Sequence, residues 1–163
     1  MKSSFPRSGS RELGTADGTQ AFGEELGRAL EAGDVVILDG PLGAGKTTFT
    51  QGIARGLGVK GRVTSPTFVI AREHRSTVGG PALVHVDAYR LLGDGSSGDP
   101  LGELDALDLD TELSDAVVVA EWGGGLVEQI AEVYLLVRID RETAVRRDPS
   151  SEARIFTWEL VTD

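Results

Sequence analysis

Residues Gly40-Pro41-Leu42-Gly43-Ala44-Gly45-Lys46-Thr47 carry the spacing G-x-x-x-x-G-K-[S/T], and no other stretch of this sequence narrows the fold as sharply. Glycines at such positions let successive backbone N–H groups turn inward around an anion, the lysine adds a fixed point charge, and the final hydroxyl can ligate magnesium. The motif works only where a buried strand runs into it and a helix leaves it. Both are legible here. Val35-Val36-Ile37-Leu38 is an unalternating apolar run, as in a strand buried on both faces of a mostly parallel sheet, and Phe49, Ile53 and Leu57 recur along one side of a helix over 46–57. The candidate nucleotide contacts are Gly40, Leu42, Gly43, Ala44, Gly45, Lys46, Thr47 and Thr48, with Lys46 on the β- and γ-phosphates. A purely structural Gly-rich turn would leave Lys46 without a purpose in a chain of only three lysines.

Around this unit the chain alternates helical and strand patterns. Phe22, Leu26, Ala29 and Leu30 form one helical stripe, so the spacing predicts a helix over about 18–31. Strands are expected at 67–73, 82–87, 116–121, 133–139 and 153–161, the first two joined by a turn at Thr77-Val78-Gly79-Gly80. Leu101, Leu104, Leu107 and Leu113 suggest a short helix after a loop at 93–100. A length of 163 residues fits one domain. The expected class is α/β: a single P-loop NTPase-like domain over 15–163, with a central, mostly parallel sheet flanked by helices, preceded by a flexible Ser/Arg-rich tail over 1–14.

Composition excludes several kinds of site. There is no cysteine and only two histidines, so thiolate zinc sites and disulfides are ruled out and any metal must be held mainly by oxygen. The formal charge of −10 disfavours a direct, tight grip on nucleic acid, which calls for a basic face. Between Leu91 and Asp115 stand eight acidic residues and no basic one, read as a solvated face or as an acidic docking surface. The longest uninterrupted apolar run, Ala116 to Ala120, is far too short to cross a bilayer, and a cytoplasmic location is expected.

A phosphate loop needs an acidic group for magnesium, commonly at the end of a hydrophobic strand beside it. Asp87 and Glu121 each close such a strand, and spacing alone does not choose between them. Thr64-Ser65-Pro66-Thr67 follows the helix that leaves the loop, a place where nucleotide switches carry a hydroxyl to the γ-phosphate. His85 reads as a packed or hydrogen-bonded strand residue rather than a base. Guanine readers use an N-K-x-D loop, and the chain has no asparagine, which favours ATP.

Taken in order, GPLGAGKTTF followed by Gly52, VTSPTF at Val63 to Phe68, HVDAYRL at His85 to Leu91, the L-x-E-L segment around Leu101 to Leu107, and Glu121-Trp122 resemble the TsaE family of bacterial ATPases, which take part in making threonylcarbamoyladenosine at position 37 of certain tRNAs. The resemblance implies ATP and Mg2+ as cofactors, and as partners a threonylcarbamoyl-transferase subunit and its non-catalytic paralogue. It implies further that Thr47 and Glu121 hold the metal, that Lys46, Asp87 and Thr67 are catalytic, and that hydrolysis is weak without partners. The rival reading is a small P-loop metabolite kinase of the shikimate-kinase kind, and a third is a nucleotide-dependent scaffold.

Overall fold

The computed structural model describes residues 1–40, 45–60, 71–87, 115–122, 133–151 and 153–162. Among them, strand β1 (Ser8–Leu13) leads to helix α1 (Ala16–Ala29), then β2 (Val35–Asp39), α2 (Lys46–Leu57), β3 (Ala71–His74), β4 (Ala82–Asp87), β5 (Ala116–Trp122), β6 (Tyr134–Asp140), a short α3 (Glu142–Arg147) and β7 (Arg154–Val161). The strands form one sheet in the order β1-β7-β6-β2-β5-β4-β3. The four central strands, β6, β2, β5 and β4, run parallel, and antiparallel strands flank them on both sides. The expected α/β architecture with a parallel centre is thus the one observed.

The apolar run that predicts β2 is explained by its position. β2 pairs with β5 on one side and β6 on the other, and Val36, Ile37 and Leu38 are fully buried, so neither face tolerates a polar residue. Helix α1 is capped by Thr15, whose hydroxyl accepts the N–H of Gly18 at 3.0 Å, and begins at Ala16, two residues earlier than its apolar stripe suggests. Its Phe22 meets Phe49 of α2 at a ring separation of 5.5 Å and Phe156 of β7 at 5.8 Å. These rings join Val36, Leu38, Val117, Val119 and Val137 in one core cluster, which holds α1 and α2 on the sheet.

The segment expected to be a flexible tail is ordered instead. Ser8–Leu13 pairs along its whole length with β7, from Ser8 opposite Glu159 to Leu13 opposite Arg154. Phe5 is buried against Phe22 and Trp158, and Trp158 donates its indole N–H to the carbonyl of Pro6 at 3.0 Å. Gly9 lies against the face of that indole, where a Cβ would come within 2.6 Å of ring carbon Cζ2. The reason for the discrepancy is physical: an edge strand that buries only Leu13 of its own residues carries no alternation to read. Helix α3 is unanticipated for the same reason, since only Ala144 of its six residues is buried. The expected helix around Leu101 to Leu113, the loop at 93–100 and nearly all of the acidic stretch lie outside the described residues. No helix among those described is long and apolar enough to cross a membrane.

On β3, His74 is 7 % exposed, with Nδ1 at 3.2 Å from the carbonyl oxygen of Lys60 and Nε2 buried without a partner. Burial pushes its pKa below the ordinary 6.5; the Lys60 carbonyl opposes that shift, and His85 and Arg72 nearby reinforce it. An unfolded histidine takes up its proton before this one does, so just below the ordinary value the unfolded state binds more protons and stability falls as pH falls. Thermal melts between about pH 7.5 and 5.5 are expected to show that decline, and His74→Asn, which keeps a donor for the Lys60 carbonyl, should flatten it. An unchanged slope in the variant would assign the decline to another group.

Candidate functional site

Strand β2 delivers the chain to Gly40 at the C-terminal end of the parallel strands, and α2 leaves from Gly45. Gly45 adopts φ +101°, a left-handed conformation that strains any residue with a side chain. Helix α2 therefore starts without a side-chain cap, and no acidic residue occupies its first turn. By contrast, α1 is capped by Thr15 and carries Asp17 in its first turn. Among the described residues no side chain caps the first-turn N–H groups of Lys46, Thr47 and Thr48, and a helix start of this kind favours an anion.

Lys46 opens α2 half-buried, and its ammonium donates to the carbonyl of Gly40 at 2.9 Å, across the mouth of the loop. Among the described residues only one of its three donors is engaged. Thr47 is half-buried at the next position, and the hydroxyl of Thr50 donates back to the Lys46 carbonyl at 2.8 Å. Helices α1 and α2 run parallel and start at the same end of the sheet: a Cβ added at Gly45 would lie 3.9 Å from Cγ2 of Thr19. The segment from Thr15 to Asp17 consequently begins a helix beside the start of α2.

The two candidate acids are neighbours in the sheet. Leu38 of β2, Glu121 of β5 and Asp87 of β4 stand side by side in register across three adjacent parallel strands. Ligands in open parallel sheets bind beyond this end of the strands. The Glu121 side chain is 12 % exposed, and its Oε1 lies 3.1 Å from Nε2 of His85, which is wholly buried. That contact was not foreseen; the available signal was a histidine two residues before one strand-end acid on a strand adjacent to the other. Among the described residues no three His, Cys, Asp or Glu side chains converge as a metal centre. Of the residues singled out from sequence, Leu42, Gly43, Ala44 and Thr67 lie outside the described residues, as does the whole of Thr64 to Thr67.

Comparison with known proteins bears on family and fold. The sequence model of a family described as "Threonylcarbamoyl adenosine biosynthesis protein TsaE" matches residues 13–149. A relative from Mycobacterium bovis, named tRNA threonylcarbamoyladenosine biosynthesis protein TsaE, is 53 % identical over 151 residues, covering 92 % of this chain and 86 % of its own. Relatives of the same name from Streptomyces coelicolor and Bacillus subtilis are 55 % identical over 136 residues (83 % and 86 % covered) and 37 % identical over 146 residues (89 % and 85 % covered). The crystal structure of Bacillus subtilis YdiB superposes with a TM-score of 0.68 at 28 % identity, covering 96 % of this chain and 86 % of that one. The metabolite-kinase reading is not favoured by any of these. A family match across most of the length, with relatives above half identity along nearly all of it, means that this chain belongs to the TsaE family.

Proposed function

We propose that this chain is the ATP-binding and ATP-hydrolysing member of a cytoplasmic protein assembly that makes threonylcarbamoyladenosine at adenosine 37 of tRNA. The observation that carries the nucleotide part is the start of α2: an uncapped helix entered through a left-handed glycine, with Lys46 at its first position. The pathway rests on family membership, since the relatives' names specify threonylcarbamoyladenosine biosynthesis.

The chemistry follows from the residues. Backbone N–H groups from the loop and from Lys46 to Thr48 bind the phosphates, and Lys46 stabilises negative charge on the β- and γ-oxygens. The residues fit a magnesium ion of the usual kind, which keeps one or two protein oxygens and takes the rest from phosphate and water. Thr47 and Glu121 would hold it, and it would supply charge neutralisation on the bridged phosphates. Asp87, in register beside Glu121, is the second acid of the site and orients the attacking water. Thr67 completes the reading as the switch hydroxyl. With a net charge of −10, the chain acts on tRNA through protein partners, a threonylcarbamoyl-transferase subunit and its non-catalytic paralogue, rather than through a basic face of its own.

The roles of the acids separate experimentally. Titrating Mg2+ against a fluorescent ATP analogue, Glu121→Ala is expected to raise the half-saturating Mg2+ concentration by about tenfold or more, whereas Asp87→Ala should leave it nearly unchanged and slow phosphate release on the order of 10²-fold. A native Mg2+ response in Glu121→Ala would remove that residue from the metal. Phosphate release measured with and without the transferase subunits tests the assembly, and no rise on their addition would favour a scaffold over a partner-stimulated ATPase.

A further inference from the structure

His85 has no part in the chemistry above, yet it is the only partner seen for Glu121 among the described residues. It lies on β4 opposite Val119 of β5, so its side chain shares a sheet face with Glu121 two residues further on. Its Nε2 is 3.1 Å from Oε1 of Glu121, its ring is wholly buried, and its Nδ1 is buried with no hydrogen-bond partner among the described residues.

These contacts decide where the ring proton sits. An ionised carboxylate only accepts hydrogen bonds, so the nitrogen facing it carries the hydrogen. Nε2–H of the ring is therefore the donor, and its bond holds the carboxylate in place.

We infer that His85 is the positioning residue for Glu121, holding one carboxylate oxygen so that the group is presented in one orientation to a divalent cation. This rests on the reading of Glu121 as a cation ligand. A carboxylate already held by a second group has less rotamer freedom to lose when it binds a metal, and partners of that kind are commonly worth 10- to 100-fold in metal affinity. The pairing also explains a buried polar residue in a strand whose other residues before Asp87 are Ala82, Leu83, Val84 and Val86.

The test titrates Mg2+ against a fluorescent ATP analogue in the native protein, His85→Leu, His85→Gln and Glu121→Ala, with nucleotide affinity in EDTA measured alongside. His85→Leu is expected to raise the half-saturating Mg2+ concentration by about tenfold or more, and His85→Gln, which keeps an N–H donor, to restore most of the loss, with metal-free affinity unchanged in both. A structural role alone would shift metal-free affinity and thermal stability without singling out the metal. A native Mg2+ response in His85→Leu, while Glu121→Ala has lost its response, would overturn the positioning role and leave the cation reading intact. A native response in Glu121→Ala would instead remove the cation reading, and the inference with it. Should His85→Leu fail to fold, ¹⁵N correlation spectra of the native ring decide: a hydrogen on Nε2 is expected, its Nε2 signal moving when Mg2+ is added to the nucleotide-bound protein. An Nε2 without a hydrogen, or a signal indifferent to Mg2+, would overturn it.

Discussion

Replacing Lys46 by alanine is expected to lower kcat/KM for ATP hydrolysis on the order of 10²–10³-fold, the usual consequence of removing one preorganised donor from developing charge. The fold should hardly notice. In the protein without nucleotide the ammonium makes one half-buried hydrogen bond, to the Gly40 carbonyl at 2.9 Å. Such a bond contributes about 0.5–1.5 kcal/mol net, which for a chain of this size moves Tm by only a few degrees. The contrast between a large kinetic loss and a small thermal one distinguishes a phosphate ligand from a structural lysine. Lys46→Arg sharpens the test: it keeps the charge, but the planar guanidinium is wider than an ammonium and cannot keep the Gly40 contact while presenting a compact point charge. Phosphate release and melting curves on both variants check this. Normal hydrolysis by Lys46→Ala would remove the phosphate-loop assignment.

The elements legible in the sequence are those whose pattern and physical cause coincide. Helix α2 was expected over 46–57 and spans Lys46–Leu57, because a fixed motif marks its start and an apolar stripe its face. β2 and β5 read as strands because two-sided burial demands unbroken apolar runs, and the same logic placed both acids at strand ends. β1 was missed because its support comes from elsewhere: the pairing with β7, the Phe5 ring and the Trp158 hydrogen bond to Pro6 are all long-range, and Ser8-Gly9-Ser10 shows none of them locally. The same limit applied at the site. Gly40, Lys46, Thr47, Asp87 and Glu121 were each legible from a neighbouring strand or helix. The register that sets Asp87 beside Glu121, and the contact from His85 to Glu121, depend on which strands are adjacent, and chain order does not reveal adjacency in a sheet ordered β6-β2-β5-β4.

A second large effect is expected far from any charge, where α1 crosses α2. Gly23 and Gly27 on α1 and Gly52 and Gly56 on α2 are each four residues apart, so each pair lies on one helix face a turn apart. A Cβ added at Gly52 would come 2.9 Å from Cα of Gly23, and one at Gly56 would come 2.9 Å from Cα of Gly27 and 2.8 Å from the Arg28 nitrogen. The obstacles are backbone atoms, which cannot rotate away as a side chain would. Each helical glycine gives up about 1 kcal/mol relative to alanine, so four at one crossing make sense only if close approach returns more, through the Phe22–Phe49 contact and the seating of both helices on the sheet. Gly52→Ala is therefore expected to destabilise by about 1–3 kcal/mol despite its better helix propensity. Gly18→Ala, in α1 but away from the crossing, should be neutral or slightly stabilising, its Cβ meeting only the Thr15 hydroxyl at 3.4 Å. The double variant Gly23→Ala/Gly52→Ala discriminates further. Both methyl groups would occupy the same gap, so once the helices have parted for the first, the second costs less, and the two losses should sum to less than their separate values. Because α2 carries Lys46 and Thr47 at its start, a helix pushed off α1 also displaces these two proposed nucleotide-binding residues. ATP affinity should consequently fall in step with stability across Gly52→Ala and the double variant, and remain native in Gly18→Ala. Chemical denaturation and nucleotide titration of the native protein, Gly18→Ala, Gly23→Ala, Gly52→Ala and the double variant measure both quantities. A Gly52→Ala protein as stable as the native one would mean that the helices tolerate a wider crossing than this structure has.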